Sequence, residues 1–177
     1  MSANRTLVFE KNNLYHIYNR GCDKQKLFFR HGDYERFYDN IARFKKNCPH
    51  IEIYAWCLLP NHFHFLLLER DPDPTPDPDP KTAEQISVFM RKLQQAYAAY
   101  FSSRYKEGKG LVFEGKFKAK LADDSDYILQ LKQYIEWNAV KHDIVRKPEE
   151  WEYSSYVPAI YGPDTYPNEL EFNPYFE

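Results

Sequence analysis

The sequence predicts an α+β domain: a ferredoxin-like antiparallel sheet with helices packed on one face, followed by a C-terminal helix that bears a tyrosine, and a tail. Three observations carry this prediction. The periodic segments run strand, helix, strand, strand, helix, strand, helix, and the first six match the split β-α-β arrangement. The second and third strands are joined only by Pro60-Asn61, for which a hairpin is the economical pairing. The strand segments alternate apolar and polar residues, whereas the helical ones repeat at spacings of three and four.

Taken in order, Leu14-Tyr15-His16-Ile17-Tyr18-Asn19-Arg20-Gly21 alternates and then breaks at glycine, which predicts a first strand ending in a turn. Asp33 caps a helix from about Asp33 to Lys46, with Phe37, Ile41 and Phe44 along its apolar stripe. Ile51 to Leu59 is rich in β-formers and makes the second strand. The histidine strand returns from it through the Pro60-Asn61 corner. A long helix follows from about Thr82 to Arg104, its stripe formed by Ile86, Phe89, Leu93, Ala96, Tyr97 and Tyr100. Gly108-Lys109-Gly110 ends it. The stretch from Val112 to Lys120 alternates again, its lysines sharing one face, and predicts a fourth strand or an ordered basic loop. Asp123, Asp124 or Ser125 caps a final helix to about Val140, with Ile128, Leu131 and Ile135 on its stripe.

One domain accounts for residues 1–156, interrupted by an Asp-Pro loop at 71–80, and residues 157–177 form a tail. The Asp-Pro repeat forms neither helix nor central strand, because half its residues lack an amide proton and each proline restricts its predecessor. It reads as an exposed, semi-rigid connector. Beyond Pro148, Trp151, Tyr153, Tyr156 and Tyr161 are candidates to dock back on the domain. The three cysteines form no Cys-x-x-Cys and are odd in number, which argues for a reducing compartment and against a disulfide scaffold. With no apolar leader and no apolar run of membrane length, a soluble, cytoplasmic protein with no membrane partner is expected.

A net charge of −2 speaks at first against nucleic acid, but the charge is unevenly spread. The Asp-Pro repeat holds four acidic residues, and without it 24 basic face 22 acidic ones. Arg104, Lys106, Lys109, Lys116, Lys118 and Lys120 lie in one stretch with only Glu107 and Glu114 against them. Aromatic residues make up 18% of the chain, an excess that fits base stacking, a sticky interface or tyrosine-rich packing.

The chemistry concentrates in Leu58-Leu59-Pro60-Asn61-His62-Phe63-His64-Phe65-Leu66-Leu67-Leu68. On a strand His62 and His64 project together, their Cα atoms about 6.5–7 Å apart, while Phe63 and Phe65 point the other way. Two imidazoles so placed suit one divalent ion; the alternative is a pair of hydrogen-bonded residues at a strand end. In the last helix, Tyr134 and Asn138 are four apart and stack on one face, roughly 6 Å between Cβ atoms. A carboxamide oxygen is a hard ligand able to complete a mixed nitrogen and oxygen site, with a phenol one turn away. That set suits phosphoryl transfer, in which a phenolate attacks phosphorus in line. Taken alone, any one of 15 tyrosines would be packing or hydrogen-bonding, and the register with Asn138 is what singles out Tyr134.

These stretches resemble the single-tyrosine HUH transposases, and more closely their REP-associated tyrosine transposase branch. The resemblance rests on Tyr15-His16-Ile17-Tyr18-Asn19-Arg20-Gly21, on Leu59-Pro60-Asn61-His62-Phe63-His64-Phe65-Leu66-Leu67, on Tyr134-Ile135-Glu136-Trp137-Asn138 and on Trp151-Glu152-Tyr153-Ser154-Ser155. It implies a catalytic domain of ferredoxin-like fold that nicks and rejoins single-stranded DNA, at hairpin or REP-type elements. It implies Mg²⁺ or Mn²⁺ held by His62 and His64, and Tyr134 as the nucleophile, leaving a 5′-phosphotyrosine and a free 3′-hydroxyl. The third ligand falls on Asn138, where many relatives carry glutamine, so the helix must sit closer or a water must bridge. Arg20, Lys116, Lys118 and Lys120 are the candidate DNA contacts. Relatives include monomers and homodimers that exchange the tyrosine helix. The usual Asn-Pro pair is Asn138-Ala139 here, which lets the helix run on, and the Asp-Pro insertion is foreign to the pattern. Two other readings compete. One is a non-catalytic ferredoxin-like nucleic-acid-binding protein; the other is a metal protein using His62, His64 and Cys57.

Overall fold

The computed structural model describes residues 8–71, 85–105 and 110–156. Residues 72–80 of the Asp-Pro loop, Thr82, Lys106, Glu107, Gly108, Lys109, Tyr161 and the tail 157–177 lie outside the described residues. The elements are β1 (Leu14–Arg20), α1 (His31–Lys45), β2 (Ile51–Leu59), β3 (His62–Glu69), α2 (Gln85–Arg104), β4 (Lys118–Ala122), α3 (Ser125–Glu136) and the single turn α4 (Asn138–Lys141). The sheet is antiparallel throughout, in the order β2-β3-β1-β4. This is the expected ferredoxin-like topology, with β2 and β3 closing as a hairpin in which Leu59 faces His62.

Phe63 and Phe65 of β3 are fully buried against α1, with ring centroids 5.5 and 6.5 Å from Phe37, and Tyr97 of α2 packs edge-on to Phe37 at 5.0 Å. The helices α1 and α2 therefore cover one face. The helix α3 packs on the other, where Leu131, Ile135 and Ala139 meet Ala55, Cys57, Leu59 and Leu66. The sheet thus has a large aromatic core on one side and a small aliphatic one on the other.

Element ends differ from the sequence expectation for identifiable reasons. The helix α1 starts at His31, so Asp33 sits in its first turn, not at its cap. Its buried carboxylate accepts the amides of Phe29 and Arg30 (2.8 and 3.2 Å) and the hydroxyls of Tyr100 and Tyr105 (2.8 and 2.6 Å). The start of α2 is held from the sheet, where buried Glu69 accepts the amides of Gln85 and Ile86 at 2.8 and 3.1 Å. The basic stretch enters the sheet only at Lys118, because Gly115 turns the chain with φ 78 after Phe113 has bridged to Gly21. Gly21 itself is required, since a Cβ there would collide with the Gln25 carbonyl. The helix α3 stops at Glu136, not near Val140, because Trp137 adopts φ −90 and ψ 6 before α4 resumes.

The segment 151–156 closes the β2 edge. Leu58 N–H donates to Tyr153 O (2.8 Å), Ser155 N–H donates to Trp56 O (2.9 Å), and the Trp151 indole donates to Leu58 O (2.9 Å). Tyr153 stacks on Tyr34 at 3.6 Å, and Ser155 Oγ donates to Glu136 of α3 at 2.9 Å. Trp151 and Tyr153 therefore dock as expected, whereas Tyr156 is exposed.

Because Asp33 satisfies four donors, two from the segment before α1 and two from the end of α2 and the residue after it, Asp33→Ala should cost about 3 kcal/mol of stability. Urea denaturation checks this, and a loss below about 1 kcal/mol would show that water replaces the carboxylate.

Candidate active site

The pairing register gathers the polar residues of the sheet on the α3 face. His62 stands opposite Arg20, His64 opposite Tyr18, and across β1 His16 stands opposite Lys120 and Tyr18 opposite Lys118. Directly paired residues share a face, so these side chains form one field beside α3. His62 and His64 lie with ring centroids 5.2 Å apart and planes nearly perpendicular.

Hydrogen bonds orient both rings. Asn61 Nδ2 donates to Lys24 O at 3.4 Å, which turns its Oδ1 toward His62 Nδ1 at 2.7 Å. That oxygen only accepts, so Nδ1 carries the proton and the Nε2 lone pair of His62 is free. His64 Nδ1 meets His16 Nε2 at 2.8 Å. With His64 donating, its own Nε2 is free as well. Burial pushes the His62 pKa down to about 4, with help from nearby His142. Burial pushes His16 to about 4, and burial with the neighbouring His16 and His62 pushes His64 to about 2. All three imidazoles are neutral at physiological pH, the form that binds metal.

The end of α3 and the start of α4 bring the remaining groups. The Tyr134 ring stands edge-on to His64 and His16, with centroids at 5.9 and 6.3 Å, and is 37% exposed. Asn138 is fully buried. Its Nδ2 donates to Tyr134 O at 3.4 Å, and its Oδ1 has no hydrogen-bond partner. The carboxamide lies close enough to His62 to favour the protonated ring, yet Oδ1 meets no donor of acceptable geometry. A buried amide oxygen left unpaired is costly, and a cation is a partner that would satisfy it. Among the described residues no three His, Cys, Asp or Glu side chains form a metal-holding group, so a site here needs an oxygen from outside that set. Asn138 supplies it. Burial pushes the Cys57 thiol up to about 12, which disfavours the thiolate that a Cys57 metal site would use.

The expected site residues therefore meet, with distinctions. His62, His64, Tyr134 and Asn138 converge, and Lys118 and Lys120 border them on the edge strand. Lys116 is exposed but precedes β4 and so has no register on that face. Arg20 shares the face, and its exposed guanidinium is clasped by Glu114, with the second contact at 2.7 Å. The sequence reading passed over three neighbours. His16 bonds His64 from 48 residues away, and its signal was a lone imidazole inside an alternating strand. Lys141 Nζ lies 4.5 Å from the Tyr134 ring centroid, and the His142 ring 5.0 Å from that of His62. Both follow from helical spacing beyond Asn138.

The class this arrangement belongs to is given by comparison with known families. The family model described as "Transposase IS200 like" matches residues 10–138, ending on Asn138, and the chain belongs to that family. Within it, the chain is 28% identical over 168 residues to the "Putative REP-associated tyrosine transposase" of Haemophilus influenzae, covering 89% of this chain and 94% of that one. The fold also matches a REP-associated tyrosine transposase solved bound to a REP hairpin, at a TM-score of 0.67 and 20% identity, over 96% of this chain and 93% of that chain. Among the described residues no helix is long and apolar enough to cross a membrane.

Because these imidazoles are held below the ordinary histidine value, the unfolded chain takes up protons first as pH falls. The contribution of neutral His16, His62 and His64 to the metal-free protein is intact above about pH 6.5 and declines as pH drops toward about 4. Proton NMR of the metal-free protein should find all three rings unprotonated at about pH 5, where a free imidazole is mostly charged. Ring shifts that titrate near the free value would contradict the burial argument.

Proposed function

We propose that the chain nicks and rejoins single-stranded DNA in the cytoplasm, at hairpin or REP-type elements, with Tyr134 as nucleophile. In this reading His62, His64 and Asn138 hold Mg²⁺ or Mn²⁺. The observation that carries it is the buried, unpartnered Asn138 Oδ1 beside the neutral His62 imidazole, whose ring lies 5.2 Å from that of His64. When bound, the ion neutralises charge on a non-bridging oxygen of the scissile phosphate.

The residues of the chain do the rest. His16 and Asn61 fix the imidazole orientations through the bonds at 2.8 and 2.7 Å. The sheet-facing packing of Leu131 and Ile135 holds α3 so that the Tyr134 phenol stands at the rim, accessible to a strand. The Tyr134 phenol gives its proton to water, its oxygen bonds to phosphorus as the bond to the 3′-oxygen breaks, and that oxygen takes up a proton from water, so the step is proton-neutral overall. The resulting phosphotyrosine ester conserves the bond energy, so a 3′-hydroxyl can reverse the step and rejoin DNA. Lys116, Lys118, Lys120 and Arg20 guide the backbone, a phosphate competing with Glu114 for the exposed Arg20 guanidinium. The protein acts as a monomer or a homodimer; Tyr134 and the histidines meet within one chain, the geometry a monomer would use.

A denaturing-gel assay with single-stranded hairpin DNA checks the nucleophile. The wild type should form a covalent adduct that maps to Tyr134, EDTA should stop it, and His62→Ala should abolish it while the fold survives. Tyr134→Phe should bind DNA without forming an adduct. An adduct of normal yield in Tyr134→Phe, or one mapping to Tyr127, would overturn the assignment. A wild type that binds hairpins tightly and forms no adduct would identify a non-catalytic binding protein.

The basic strand yields a separate outcome. Replacing Lys116, Lys118 and Lys120 by glutamine should weaken binding to all sequences and reduce the slope of log affinity against log salt by about 2. Deleting residues 71–80 removes like charge and should leave cleavage intact or slightly raised. An unchanged salt slope in the triple variant would place the DNA track elsewhere.

A further inference from the structure

Trp137 is a large aromatic residue left in the open at the most constrained point of the candidate site. It lies between buried Glu136 and fully buried Asn138, yet it is 42% exposed. The other two tryptophans are structural: Trp56 is buried beside Tyr38, and Trp151 donates its indole proton to Leu58 O. Trp137 is the hinge between α3 and α4, its own N–H reaching Gln133 O at 2.9 Å and Lys141 N–H reaching Trp137 O at 3.0 Å. Trp137 thus lies one turn past Gln133 and one turn before Lys141. Trp137 and Lys141 follow Tyr134 by three and seven residues, which places all three on adjoining lines of one surface. Lys141 Nζ already lies 4.5 Å from the Tyr134 ring centroid.

An exposed indole one helical turn from an exposed lysine matches the two halves of an unpaired nucleotide. The π-face of a base stacks on an aromatic ring whatever its sequence, and the phosphate pairs with a cation. We propose that Trp137 and Lys141 form a binding subsite for an unpaired nucleotide adjoining the scissile phosphate. The indole stacks on its base and the Lys141 ammonium contacts its phosphate. The position relative to the cut rests on Tyr134 being the nucleophile; the stacking does not. The subsite selects unpaired over duplex DNA, because a paired base has both faces covered.

The test uses a DNA hairpin with random-sequence single-stranded flanks and, as reference, the same hairpin with blunt ends. Tryptophan fluorescence of the full chain should fall on adding the flanked hairpin and not the blunt one, and Trp137→Phe should remove the fall. Trp137→Ala should weaken binding of the flanked hairpin roughly 5- to 100-fold. A single abasic nucleotide, moved along the flank, should at one position weaken the wild type by a similar factor without further weakening Trp137→Ala. Lys141→Gln should weaken binding and Lys141→Arg restore it. Quenching that persists in Trp137→Phe, or abasic losses that add in full to Trp137→Ala at every position, would overturn the subsite. If quenching and non-additivity hold while the wild type forms no adduct, the subsite stands and the Tyr134 reading fails. If the adduct forms on Tyr134 but the losses add, the reverse holds.

Discussion

The arrangement depends on the alternation of β3. Phe63 and Phe65 are drawn to zero exposure by the aromatic core under α1 and α2, and the residues between and before them must then face the other way. His62 and His64 are thus fixed by what their neighbours bury. A slip of one residue would expose two phenylalanines and push two imidazoles into an aromatic core, so the register is strongly specified. The Pro60-Asn61 corner supports it from the end: Pro60 O accepts the amides of Leu27 and Phe28 at 2.7 and 3.0 Å, and Asn61 O accepts that of Gly21 at 2.8 Å.

The opposite face is less completely filled, and this is where chemistry is possible. Aliphatic residues of α3 seal the half of the sheet near Ala55, Leu66 and Ala122. Toward the Arg20 and His62 end the packing gives way to imidazoles, a phenol and lysines. The histidines there are buried enough to stay neutral and close enough to the rim to meet a ligand. The cost of the site is a concentration of desolvated polar groups, visible in three depressed imidazoles and one orphaned amide oxygen. Ser155 bonding to Glu136, which also pairs with Lys132 at 2.7 Å, ties the tyrosine helix to the same sheet edge that the C-terminal segment closes.

Features set by local spacing were legible in the sequence. The hairpin, the shared face of His62 and His64, and the placement of Tyr134 one turn before Asn138 each follow from a few consecutive residues. Features set by contacts distant in the chain were not. His16 meets His64 only after β1 and β3 pair, Glu69 holds the start of α2 from another element, and Arg20 finds Glu114 across the sheet end. The alternation from Val112 to Lys120 looked like one strand, but the positive φ of Gly115 breaks it, which separates Lys116 from Lys118 and Lys120. Helix spacing also ran past Trp137 in the sequence, where the backbone departs to let Ala139 settle on β2.

The central claim is that His62, His64 and Asn138 are one metal site built into the fold. Anomalous diffraction from crystals of the protein grown with Mn²⁺ tests it most directly. The account predicts a single strong peak within bonding distance of an imidazole nitrogen of each histidine and of Asn138 Oδ1, with the side chains unmoved. Mn²⁺ bound only elsewhere, or an Asn138 oxygen turned away from a metal held by the histidines, would contradict it.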